Sequence, residues 1–325
     1  MNIVNFDRKE EGGKMKANRR LRVALLVLFV SFGVLSGCGN GGGGGGAPEP
    51  TFWNSRSSGT NNTLFGIGIF SGQAVVVGAL GTVLTSMDGI TWTTRSSGIS
   101  FHLNGVAASG NKAIAVGDNG TILSSPDLAA WTPQTSGTTN TLRAVAWTGT
   151  QFVAVGDAGT VLTSPDGTTW TSQTSGTTNN LYGVAANTTI IVAVGGGILT
   201  SPTGTAWTPR TSAGGNVLYG AVWSGTQFLV VGDSGGGGYL SNAQTSFDGT
   251  AWTGRPTSWA NAMFAAVWSG SGFMAVGQSG VTLLSADGIG WTPQLTDLPG
   301  ALNGVTWFNN RFIAVGSFGN IITAP

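Results

Sequence analysis

Few residues in this chain are equipped for covalent or metal chemistry. It holds one histidine, His102, one cysteine, Cys38, and 13 acidic residues in 325. A Ser–His–Asp set would have to use His102, in Phe101-His102-Leu103. No Gly-x-Ser-x-Gly elbow leads from a strand into a helix, so His102 reads as an exposed loop residue. Glycosidases need two carboxyl groups facing across one bond. Glu49 is the only Glu after Cys38, and the Asp residues there fall mostly one to a turn. The run Gly235 to Gly238 lacks the Lys and the strand-to-helix setting of a phosphate loop. Asp88, Asp127, Asp166, Asp248 and Asp287 lie far apart in sequence, and scattered single carboxylates do not supply the roughly six to eight oxygens that calcium needs. The expectation is a protein that is not an enzyme, with no catalytic residue, no metal and no cofactor.

Composition narrows the class further. Hydrophobic residues make up 41% and charged residues 8%, with 55 Gly. Such a chain is neither a charged disordered tail nor a charged helical protein. From Cys38 onward seven basic residues stand against ten acidic ones. With no cluster of Lys or Arg to displace phosphate counterions, nucleic acid is excluded as a partner.

The elements that must position these residues repeat. Trp53, Trp92, Trp131, Trp170, Trp207, Trp252 and Trp291 are spaced by 39, 39, 39, 37, 45 and 39 residues, the mark of a repeat architecture. In the third repeat the parts are Leu142 to Trp147, a Thr-Gly turn, Phe152 to Gly156, the turn Asp157-Ala158-Gly159, Thr160 to Thr163, and Ser164-Pro165-Asp166-Gly167-Thr168-Thr169-Trp170. Short β-branched and aromatic runs between Gly, Asp and Ser-Gly turns read as four antiparallel strands, one propeller blade, in about 40 residues. The seventh repeat stops at Pro325 without an outer strand, while Thr51-Phe52-Trp53-Asn54-Ser55 looks like an outer strand with nothing before it. The predicted fold is therefore all-β: a seven-bladed β-propeller of residues 51–325, with four antiparallel strands per blade and the N-terminal strand completing the last blade.

Two candidate binding sets follow. One face of such a disc carries the loops between second and third strands and those between repeats, opposite the Asp turns. It receives Arg95, His102, Asp118, Asp157, Asp233, Trp259 and Asp297. The repeat ending at Trp252 has its extra length around Asp233 to Ser246, and long loops on a rigid scaffold are where function concentrates. The second set follows the first Leu, or Met263, of each innermost strand: Phe65, Asn104, Arg143, Tyr182, Tyr219, Phe264 and Asn303. Symmetry puts these at one height around the axis, as a mouth suited to a sugar or peptide side chain or as packing between blades. Trp147, Trp223, Trp268 and Trp307 recur at one strand position and read as core.

The Ser-x-Asp-Gly-x-x-Trp turn, as in Ser86-Met87-Asp88-Gly89-Ile90-Thr91-Trp92, resembles the Asp-box (BNR) repeat of sialidase-like propellers. The whole repeat is similar to the photosystem II assembly and stability factor family of seven-bladed propellers. Here the box is one residue shorter than usual, Leu128 replaces Gly in the second, and Thr203 replaces Asp in the fourth, losses that fit scaffolding: the Asp braces its turn. Sialidases, as the resemblance implies, use an Arg cluster, a Tyr with its Glu, and an Asp, and no Glu remains beyond Glu49 for that role. The photosystem family implies a basic patch, which seven scattered cations do not supply.

Residues 1–37 read as a signal peptide. Seven Lys and Arg precede the apolar run Val23 to Val34, which is too short to span a bilayer. Leu35-Ser36-Gly37-Cys38 resembles the bacterial lipobox, which implies cleavage before Cys38 and lipidation of its thiol. Met15 offers a second start with a compact basic leader, and residues 38–50, with six consecutive Gly, read as a flexible tether. The functional expectation is a monomeric, lipid-anchored protein of the bacterial cell envelope, periplasmic or surface-exposed. It meets the membrane through Cys38 and presents a propeller face to a protein or glycan. An assembly factor for a membrane complex and a sialidase-like glycosidase are the alternatives.

Overall fold

A computed structural model describes residues 53–215, 217–233, 242–257, 259–294, 296 and 298–325. Seven four-stranded antiparallel sheets, each one blade, make a closed ring. Blade 3 is typical: Leu142–Trp147 innermost, then Phe152–Gly156, Val161–Ser164 and the outer Thr171–Gln173. The second strands (Ala-Val-Val-Val, Phe-Val-Ala-Val, Phe-Leu-Val-Val and their equivalents) are apolar without alternation, because both of their faces are covered by neighbouring blades. Outer strands are short and largely exposed, and four of them, such as Thr132–Gln134, carry Pro, which an edge accepts.

The seam of the ring lies in blade 7. Leu302–Phe308, Arg311–Gly316 and Ile321–Ala324 come from the C-terminus, and Asn54–Arg56 is the fourth strand, with Asn54 opposite Thr323 and Arg56 opposite Ile321. Arg56 Nε also donates to Thr323 Oγ1 at 2.9 Å. Thr51 and Phe52, the signal segment, Cys38 and the tether lie outside the described residues, as do 234–241, where the extra length of blade 5 falls.

The core is distributed between blades. Ile114, Val116 and Ile122 of blade 2 pack with Leu142, Phe152 and Leu162 of blade 3, flanked by half-buried Trp147 and Trp170. Trp147 meets Phe152 across its hairpin at 4.7 Å between ring centroids, and Trp223–Phe228, Trp268–Phe273 and Trp307–Phe312 repeat the contact at 4.5 to 4.6 Å. This Trp set is thus core edge rather than deep core.

One turn locks each blade to the loop entering it. After the second strand of blade 2, Asp118 N–H donates to His102 C=O at 3.0 Å. Gly120, at φ +65°, sits so close to the next loop that an added Cβ would lie 1.9 Å from the Thr138 carbonyl oxygen. Gly137 has a similar φ of +73° but open space around it. Gly120→Ala is expected to cost about 3 kcal/mol or more, left-handed strain plus a backbone clash, against about 1 kcal/mol for Gly137→Ala. Urea unfolding midpoints of the two variants measure the difference.

Candidate functional site

Every innermost strand carries the same irregularity. Its register with the second strand shifts after the first residue: between Leu64 and Gly66, Leu103 and Gly105, Leu142 and Ala144, Leu181 and Gly183, Leu218 and Gly220, Met263 and Ala265, and Leu302 and Gly304. The skipped residues are Phe65, Asn104, Arg143, Tyr182, Tyr219, Phe264 and Asn303. A bulge leaves its extra residue unpaired and re-aims its side chain. All seven line one axial cavity of about 220 Å³. The Gly or Ala that follows each lets the neighbouring strand approach: a Cβ on Gly183 would lie 2.7 Å from the Tyr219 carbonyl oxygen.

The mouth is not uniform. On one side Tyr182 and Tyr219 meet at 5.3 Å between centroids, and Tyr219 meets Phe264 edge-on at 5.4 Å. Arg143 stands 5.7 Å over the Tyr182 ring and donates through Nε and a terminal nitrogen to both Asp157 carboxylate oxygens, each at 2.8 Å. That bidentate contact raises the Arg143 pKa above its ordinary value. On the other side Asn104 and Asn303 reach across blades, their Nδ2 atoms donating to Leu142 C=O at 3.0 Å and Leu64 C=O at 2.9 Å. Burial first, and then the nearby Asp233 carboxylate, push the Tyr219 hydroxyl pKa up, so at neutral pH it stays a donor.

The two candidate sets merge here. Asn104 Nδ2 donates to Asp118 at 3.0 Å, Arg143 pairs with Asp157, and Asp233 acts on Tyr219. Each partner stands 14 residues after its bulge residue, a spacing by which the sequence alone could have paired them. Three carboxylates and one guanidinium therefore surround an aromatic mouth.

The other face residues behave differently. His102 is not an exposed loop residue but half-buried: its Nδ1 accepts the Leu80 N–H at 3.0 Å, and its ring lies 5.9 Å from Phe65. It anchors the loop to the turn of the preceding blade. Asn180, absent from the sequence candidates, does the same for Ala158 at 2.9 Å, and its place 78 residues after His102, two repeats on, was the available signal. Arg95 sits on an outer strand, Nε donating to Thr85 at 3.0 Å, as Arg210 does to Thr200 at 2.7 Å; it braces the blade away from the mouth. Trp259 packs against the core between blades 5 and 6. Asp297 lies outside the described residues.

The Asp turns lie on the opposite, lower face. Asp88 Oδ1 accepts the Ile90 and Thr91 N–H groups, both at 2.8 Å, and Ser86 Oγ accepts from Gly89 N–H at 2.8 Å. Asp127, Asp166, Asp248 and Asp287 are held the same way. Leu128, at φ +65°, takes the place of a left-handed Gly and offsets that strain by filling the core. Several turns are also gripped by the preceding blade: Lys112 Nζ donates to Asp166 C=O at 2.8 Å and Gln227 to Asp287 C=O at 2.8 Å. These Asp residues stand on separate blades, and among the described residues no group of three or more His, Cys, Asp or Glu could hold a metal ion.

No family model and no curated protein matches the chain. Its fold resembles that of many solved structures, these three among them. YCF48 bound to D1 peptide has a TM-score of 0.68 at 17% identity, covering 85% of this chain and 95% of that one. YCF48 from Cyanidioschyzon merolae has 0.67 at 18%, covering 84% and 98%. The WD40 β-propeller domain of Doa1 has 0.67 at 12%, covering 84% and 97%. At such identities the likeness establishes the seven-bladed fold alone.

The turn bonds give a pH dependence. Backbone N–H groups of Thr91 and Ile90 lower the Asp88 pKa to about 2, and the other four box carboxylates are lowered too. A carboxylate with a folded pKa below its unfolded value of about 4 stabilises the fold above that value, and the contribution is lost as pH falls through the folded pKa. The melting temperature is expected to hold from pH 7 to about 5 and fall between about 4 and 2. Asp88→Asn should shallow that fall in a scan of melting temperature against pH.

Proposed function

We propose that the chain is a non-catalytic, lipid-anchored envelope protein whose upper axial mouth binds a segment of a protein partner. One observation carries this reading: seven bulges aim an aromatic and charged set into a single axial opening, where a purely structural ring would have no use for Tyr182, Tyr219 and Phe264 in a row. A cavity of about 220 Å³ is smaller than the roughly 300–1,000 Å³ of whole small-molecule sites. It suits one inserted side chain, with the rest of the segment lying over the face. Three carboxylates against one paired Arg143, beside aromatic rings, favour a basic side chain through charge and cation–π attraction.

The broader grooves between outer strands fit a glycan less well. One, of about 830 Å³, runs from Gly59 to Phe101, but part of its polar lining is engaged within the protein: Ser97 Oγ donates to Ile99 C=O, and Asn62 Nδ2 donates to Thr82 Oγ1 at 2.9 Å. On this reading the Ser-x-Asp turn is a shortened Asp-box kept for bracing. The assembly-factor reading shares the same site and draws support from one fold neighbour, YCF48, being found with a peptide bound.

The test uses tagged full-length chain and solubilised envelope. Partner capture should fall at least tenfold, about 1.4 kcal/mol or more, on Tyr182→Ala with Tyr219→Ala. It should hold with Lys112→Ala on the lower face. Retained capture with a lowered melting temperature would make the aromatic arc packing and end the proposal.

A further inference from the structure

The lower face breaks the symmetry of the ring. Its Ser-x-Asp turns expose two positions, one after the Ser and one three residues further on. In blades 2, 3 and 4 these are Pro126 and Ala129, Pro165 and Thr168, and Pro202 and Thr205. Blade 5 instead has Phe247, 75% exposed, blade 6 has Ile289, 50% exposed, and blade 1 has Met87 and Ile90, 67% and 38% exposed. Blade 7 has no such turn, and there the described chain begins. Because Asn54 pairs with Thr323 near the end of the third strand, Trp53 and Pro325 both emerge on the lower face. On the lower face the large exposed apolar side chains among the described residues thus fall in blades 5, 6 and 1, the arc around the chain's entry point, and none falls on the turns of blades 2, 3 and 4.

We infer that the lower face rests on the lipid bilayer, with Met87, Ile90, Phe247 and Ile289 entering the boundary between headgroups and acyl chains, and the upper mouth pointing away. The inference rests on the anchoring of Cys38 proposed above. Fourteen residues separate Cys38 from Trp53, a reach of at most about 50 Å. That keeps the disc beside the membrane, at an effective concentration on the order of millimolar, where a small apolar contact is enough to orient it. Charge does not drive the contact. The same turns carry Asp88, Asp248 and Asp287, whose carboxylates are already held by their own N–H groups, and the cation beside them is Arg311 of blade 7, whose side chain runs past Gly89. The surface addressed is therefore apolar and zwitterionic, and orientation should persist at high salt.

Mature protein purified from membranes is reconstituted in phosphatidylcholine vesicles and labelled with hydroxyl radicals, and modified peptides are read by mass spectrometry. Phe247 on the lower face and Phe318 on the upper, 75% and 63% exposed, serve as a matched pair. Phe247 and Met87 should label at least fivefold more slowly than Phe318, with or without 0.5 M salt. F247S with I289S should restore Met87 oxidation without lowering the melting temperature. Equal labelling of the two Phe residues, or protection of Phe318 instead, overturns the inference while anchoring stands. A Cys38 peptide without lipid, read in the same digest, overturns the anchoring reading and this one with it.

Discussion

Three residues paired at the seam hold the ring shut. When Asn54–Arg56 adds to Ile321–Ala324, blade 7 gains its fourth strand, and the first and last parts of the domain become one sheet. Without that strand Ile321–Ala324 would present an open, apolar edge, a template for unwanted pairing. Closure also sets how tightly the inner strands crowd the axis. Seven of them fit only because the residue after each bulge is Gly or Ala, with facing backbones near 3 Å from any added Cβ. The bulge that relieves this crowding is the same feature that turns one side chain per blade into the axial opening.

What the sequence made legible was whatever repeats. The Trp spacing, the apolar second strands and the orphan strand expected at Thr51 to Ser55 led to seven blades and a shared last blade, and both are as found, with that strand at Asn54–Arg56. The axial positions were legible because they obey the period: all seven share one cavity because one strand position is bulged seven times. Legibility failed where a side chain's partner is set by packing between blades. His102 looks like a loop residue until the Leu80 N–H of the preceding blade is seen to bind it, and Trp259 looks available until the gap between blades 5 and 6 is seen to need filling. Arg95 shares its cross-strand bond with Arg210 and Arg255, a pattern the sequence held but which only strand register makes meaningful.

Repetition and departure from it then mean different things. A residue present in nearly every blade, such as the Ser of the box or the Gly ending the second strand, answers to the geometry of the ring. A residue that departs at a position with no packing demand needs another cause. The turn position that holds Asn119, Ala158 and Ser279 holds Leu80 and Phe318 in adjacent blades 1 and 7, at φ +54° and +59° and 61% and 63% exposed. Left-handed backbone costs a bulky residue about 1–2 kcal/mol, and neither side chain recovers that cost by burial.

The departures divide by face. The upper face gathers Tyr182, Tyr219 and Phe264 with Arg143 and three Asp residues around the axis, while the lower face gathers Met87, Ile90, Phe247 and Ile289 around the chain's entry. On the proposed function, a disc tied at one rim can meet a partner with its mouth only if the opposite face is the one turned to the tie. The position of the seam decides where the tether leaves, since it brings the N-terminal strand in from below; on the proposed anchoring, a strand order that closed the ring from above would set the mouth against the membrane.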